Sequence, residues 1–169
     1  MKKINLTYIR LPDKTSYMTW QKTYSILLGN EIKVSFSSEK KAKKFIADTN
    51  RFLNLQLQEL NQVYIQLFAE YRRLWFIIDF EENIEDSFHD INKYFKKLTK
   101  HGHSENSNIY VFLDFIRISN EIKTVTEKLI TFLKDTNNYS GANILSSLPL
   151  RVDNILDAVN NYGKDQGQV

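Results

Sequence analysis

Apolar residues recur along the middle of the chain at alternating steps of four and three. From Leu53 they fall at Leu57, Leu60, Tyr64, Leu67, Tyr71, Leu74 and Ile78. A mean spacing of about 3.5 residues belongs to a helix packed lengthwise on other helices. No Gly or Pro interrupts Ser37 to Asp79, so the pattern predicts one long helix over about 38–79, roughly 60 Å at 1.5 Å per residue. Ser37 or Ser38 caps it, with Glu39 at the positive end of its dipole.

Three shorter helices carry the same spacing. The second uses Ile84, Phe88, Ile91, Phe95 and Leu98, after an Asp79-Phe80-Glu81-Glu82 start. Its Glu81, Glu82, Glu85 and Asp86 come first and Lys96, Lys97 and Lys100 last, which matches the helix dipole. The third carries Val111, Phe115, Ile118, Ile122, Val125, Leu129 and Phe132 and ends before the polar run 135–138. A short helical piece is expected from Gly141 to Ser146. The last helix places Pro149 in its first turn, Leu148, Val152, Ile155, Val159 and Tyr162 inward, and Gly163 at its C-terminal cap.

Residues 3–36 alternate instead with period two. Ile4, Leu6 and Tyr8 mark one strand, Leu11-Pro12-Asp13-Lys14 a turn, and Ser16 to Leu28 and Glu31 to Phe36 two further strands around Gly29-Asn30. A two-residue turn there pairs Leu27 with Ile32, Ser25 with Val34 and Thr23 with Phe36, and Trp20 anchors the sheet to the helices. The expected fold is therefore mainly α. It is an antiparallel helical bundle, one long helix plus three shorter ones, with an N-terminal three-stranded β-meander. The chain reads as a single domain over 1–169: meander 3–36, bundle 37–163 and a flexible tail 164–169.

Composition changes this picture little. Apolar residues make up 42% and charges 25% of 169 residues, as in folded globular chains. The longest apolar run, Leu74 to Ile78, is far short of the roughly 20 residues of a membrane span. No continuous apolar stretch follows Met1-Lys2-Lys3 as a signal peptide requires. A soluble, cytoplasmic protein, free or in an assembly formed in the cytoplasm, is expected.

Charge is uneven. Residues 1–50 hold ten Lys and Arg against four acids, within a net charge of only +3. Lys40, Lys41, Lys43 and Lys44 crowd the first two turns of the long helix, where cations oppose the dipole, and Arg51 follows further along it. They form either a solvated face or an anion-binding patch.

Candidate chemistry is sparse. With no Cys there is no thiolate nucleophile or Cys metal site. A di-metal carboxylate bundle needs two Glu-x-x-His pairs, whereas only Asp86 precedes a His, His89, by three. His101 and His103 have chelate spacing, with Glu105 as a third ligand, but no fourth ligand follows in sequence. All five glycines fall in predicted turns or the tail, so no phosphate-binding Gly loop exists. No catalytic residue, cofactor or small-molecule substrate is expected, and no membrane partner.

What remains is a non-enzymatic structural, assembly or adaptor protein making protein contacts, as subunits of virions and mobile-element machines do. That comparison is one of architecture. The second helix is too short to line the whole of the first. Phe45, Ile46, Phe52 and Leu53 are therefore left short of partners within the bundle; the β-meander, another subunit or both are expected to cover them, and with an edge of the 3–36 sheet they are expected to face a second copy or another protein. The alternatives are nucleic-acid binding through the basic N-terminal third, and a small inhibitor or immunity-type regulator of another protein.

Overall fold

Ala42, Ile46, Thr49 and Leu53 continue the four-three seam upstream, and the whole seam from Ala42 to Leu74 is buried. Helix α1 (Glu39–Leu74) is therefore one element of 36 residues, about 54 Å long. The computed structural model describes residues 9–12, 22–28, 32–74, 82–100 and 107–166. The Ser38 carbonyl accepts the first helical hydrogen bond, from the Ala42 amide at 3.1 Å. The expected extension of α1 over 75–79 lies outside the described residues, as does the Asp79 break.

The chain is mainly helical: α1 is followed by α2 (Glu82–Lys100), α3 (Ser107–Asp135), α4 (Tyr139–Leu145) and α5 (Leu148–Gln166). Helices α1 and α2 run antiparallel, with the Tyr71 ring centroid 4.4 Å from Phe88 and that of Tyr64 5.6 Å from Phe95. Helix α3 packs on both α2 and α5, and α5 returns along α1. The interior is filled by Leu53, Leu57, Leu60, Leu67, Ile91, Leu98, Phe115 and their neighbours. Two of its polar members are satisfied locally: Ser119 and Thr126 donate to the carbonyls four residues back. Near the end of α3, Leu133 is buried and Phe132 is not, so the seam closes one residue later than the pattern predicts.

The α3–α4 connection is a Schellman turn. Asn137 takes the left-handed conformation (φ 60°), Asn137 N–H donates to Lys134 and Asn138 N–H to Leu133. Asn138 then caps α4, its side chain accepting from the Gly141 amide at 3.0 Å. That cap starts α4 two residues before the expected Gly141. Helix α5 also differs from expectation. Gly163 does not end it; the helix runs through to Gln166, inside the stretch read as a tail.

Strands β1 (Ile9–Pro12), β2 (Lys22–Leu28) and β3 (Ile32–Phe36) pair antiparallel in that order, against α1, α3 and α5. Two expectations are corrected here. Leu11 and Pro12 belong to a strand; Pro12 is tolerated because β1 is an edge. The β2–β3 register is Leu28 with Ile32, Ile26 with Val34 and Tyr24 with Phe36, one residue from the expected pairing. Three residues, not two, separate the strands, so Leu28 replaces Leu27 in the register of Ile32. Ile4, Leu6, Tyr8 and Trp20 lie outside the described residues. Among the described residues no helix is long and apolar enough to cross a membrane.

Candidate interaction surfaces

The upper half of α1 is covered by its own chain. Ile46 and Leu53 are core residues at 8% and 0% exposure. Phe45 and Phe52, half-buried, pack against that core. Phe45 meets Phe36 of β3 with centroids 5.2 Å apart, and Phe52 stacks on Tyr162 of α5 at 4.2 Å and 8°. Thr49, fully buried, shares a 2.8 Å hydrogen bond with the Tyr162 hydroxyl. Burial raises the Tyr162 pKa, the Thr49 hydrogen bond opposes that, and the Asp48 charge adds to it.

The premise that Phe45, Ile46, Phe52 and Leu53 are short of partners within the bundle is thus corrected. Weighing the length of α1 against that of α2 alone leaves out α5. Helix α5 supplies the cover: Arg151 donates to Gln66 and Glu59 near its start, and Tyr162 reaches Thr49 near its end.

The predicted cationic residues Lys40, Lys41, Lys43, Lys44 and Arg51 are all exposed. At 100° per residue Lys40, Lys44 and Arg51 share the face opposite the buried seam, with Lys41 and Lys43 to either side. Lys43 is paired with Glu39 at 2.8 Å.

Two features escaped the sequence reading. On α1, Arg51, Leu55, Gln58, Gln62, Ile65, Ala69 and Arg72 are all exposed and repeat the four-three spacing, two residues out of phase with the buried seam. Leu55 and Ile65 are large apolar side chains at 54% and 57% exposure. Between Arg51 and Arg72 this outer seam carries no charge. Reading the helix in a second register would have found it.

The other is on α2. His89, Asn92, Lys93, Lys96, Lys97 and Lys100 line an open groove of about 550 Å³. Lys97 and Lys100 lie in the last turn, and reading Lys96, Lys97 and Lys100 only as a match to the helix dipole passed over the row they form with Lys93.

Among the described residues no three His, Asp or Glu side chains cluster to hold a metal. His101, His103 and Glu105 lie outside the described residues. No family model, curated protein or solved structure matches the chain.

Proposed function

We propose that this chain is a non-enzymatic assembly protein that packs the outer seam of α1 against another helix, in the first instance that of a second copy. The observation that carries this is the uncharged, exposed run Leu55, Gln58, Gln62, Ile65 and Ala69 at coiled-coil spacing. Helices whose exposed face is only solvated are dressed with charge, and these seam positions are not over about four turns, the neighbouring exposed acid Glu59 being paired with Arg151 of α5. The bundle beneath supports the reading: its apolar core is filled and, among the described residues, every buried polar side chain has a partner. The seam is thus presented by a fixed element. With this reading goes a location in the cytoplasm or in an assembly formed there.

The test is light scattering on the eluting protein over a range of concentrations. The wild type is expected to exceed the monomer mass of 20.0 kDa, and Leu55→Asp/Ile65→Asp to elute as a monomer with unchanged helix content. A wild type that stays monomeric at every concentration overturns the proposal.

Nucleic-acid binding through the start of α1 is the second reading. What favours it is the shared outer face of Lys40, Lys44 and Arg51. Nucleic acid co-eluting with the protein, and absent when those lysines become Gln, is what that reading requires.

A further inference from the structure

The groove on α2 stands apart from both surfaces of α1. Lys93, Lys96, Lys97 and Lys100 are spaced i, i+3, i+4 and i+7, so they fall along one side of the helix, with His89 one turn below. Lys97 and Lys100 sit in the last turn, where the dipole favours cations. Lys93 and His89 lie earlier, outside the reach of that effect.

Like charges three and four apart repel, and four pairs of that kind occur here: 93/96, 93/97, 96/100 and 97/100. Among the described residues no carboxylate lies within ion-pair distance of any of the four lysines, and none lines the groove. Glu85, Asp86 and Asp90 of the same helix all lie in its first half. Among the described residues the groove is therefore a cationic row, with Asp90, three residues before Lys93, the nearest acid on its own helix, and an anion laid along it relieves the repulsion.

One lysine is held in place. Lys97 Nζ lies 5.8 Å from the centroid of Tyr94, and Arg117 of α3 caps the same ring at 5.4 Å. Tyr94 and Lys97 are both half-buried, whereas Lys93, Lys96 and Lys100 are exposed.

We propose that the C-terminal half of α2 is a binding site for a row of closely spaced phosphates. From Lys93 to Lys100 the helix rises about 10 Å, long enough to lie beside the directly linked phosphates of a triphosphate. The ligand class is a linear polyphosphate such as the tail of a nucleoside triphosphate; a single strand, whose phosphates are separated by sugars, is the other outcome that the test distinguishes. Asn92 and His89 add hydrogen-bonding groups at the lower end, where a sugar or base edge would lie. Glu85 and Asp86, one turn further on, stop the anion from extending toward the helix start.

The experiment measures fluorescence anisotropy of a labelled ten-nucleotide single strand at low salt, with inorganic tripolyphosphate and a nucleoside triphosphate as competitors. The site predicts binding by the wild type that weakens with salt. Lys93→Gln/Lys96→Gln/Lys100→Gln is expected to flatten the slope of log K against log salt by about 2, at roughly 0.7 for each phosphate no longer neutralised. Lys40→Gln/Lys41→Gln/Lys44→Gln, on α1, should leave that slope unchanged.

Tripolyphosphate that competes as well as unlabelled strand assigns the site to a free polyphosphate; a strand that outcompetes it assigns the site to nucleic acid. Lys93→Glu alone, an exposed change that leaves the fold intact, should weaken binding of either probe. The inference is overturned if neither probe binds the wild type, if the α2 triple variant binds as the wild type does, or if the α1 variant loses as much. None of these outcomes depends on whether α1 self-associates.

Discussion

Thr49 shows how one polar side chain can tie two distant parts of the chain together. It is fully buried on the core face of α1, and its hydroxyl partner across the bundle is Tyr162, 113 residues away. Tyr162→Phe leaves the Thr49 hydroxyl without that interhelical bond, and should cost about 1 kcal/mol in urea unfolding. Leu67 sits at 0% exposure at the middle of the seam. Leu67→Ala should cost about 2–5 kcal/mol, and an unchanged melting temperature would mean the buried face is misassigned. Burial holds the pKa of Tyr64, Tyr71 and Tyr162 above the ordinary value. These tyrosines favour the fold fully below pH about 10, where the unfolded chain keeps its phenols neutral. Above it the unfolded state ionises first and that stability is lost as pH rises through the folded values. Thermal melts should therefore fall steeply above that pH, and less steeply in Tyr162→Phe. The apolar pattern puts Tyr162 on an inner face but passes over Thr49, because a hydroxyl does not register in a pattern of apolar letters.

At the scale of elements, the four-three rule located every long helix, since each buries a stripe against its neighbours. It failed where geometry is set by only a few residues. The start of α4 depends on the Asn138 side chain and the Asn137 backbone, which nothing in the apolar spacing reveals. Asn138→Ala should destabilise the protein by about 1 kcal/mol, measured by denaturant titration. The hairpin register failed similarly: Gly29-Asn30 suits a two-residue turn, whereas the strands pair Leu28 with Ile32. Gly163 also misled, since a Gly signals a cap only when no neighbour holds the helix beyond it, and α5 continues to Gln166. Between α1 and α2 the joint is aromatic, Phe88 contacting Tyr64, Phe68 and Tyr71 at centroid distances of 6.2, 5.4 and 4.4 Å. Phe88→Ala removes the shared ring and should cost about 3–5 kcal/mol in the same titration.

For the whole molecule, the lengths of the helices decide which surface is left to meet a partner. Matched against α2 alone, α1 has an N-terminal half that the β-meander or a partner has to cover, because α2 stops short of it. The structure fills that half with α5 and β3, leaving Phe45 and Phe52 against Phe36 and Tyr162. Cover by the sheet follows from the mismatch in helix lengths, but no local pattern reveals the α5 part, because it depends on where the last helix falls beside the first. The candidate surface consequently moves to the opposite side of the same helix, where the spacing that identifies it was present in the sequence all along. Self-association through this seam is the central claim. The chain has no Cys, so a single introduced cysteine reports on one position only. Crosslinking between copies is therefore compared for Gln62→Cys, at the centre of the outer seam, and Glu127→Cys, exposed on α3. Rapid dimer formation through position 62 and not through 127 is the predicted result. Equal, slow crosslinking at the two positions would contradict it.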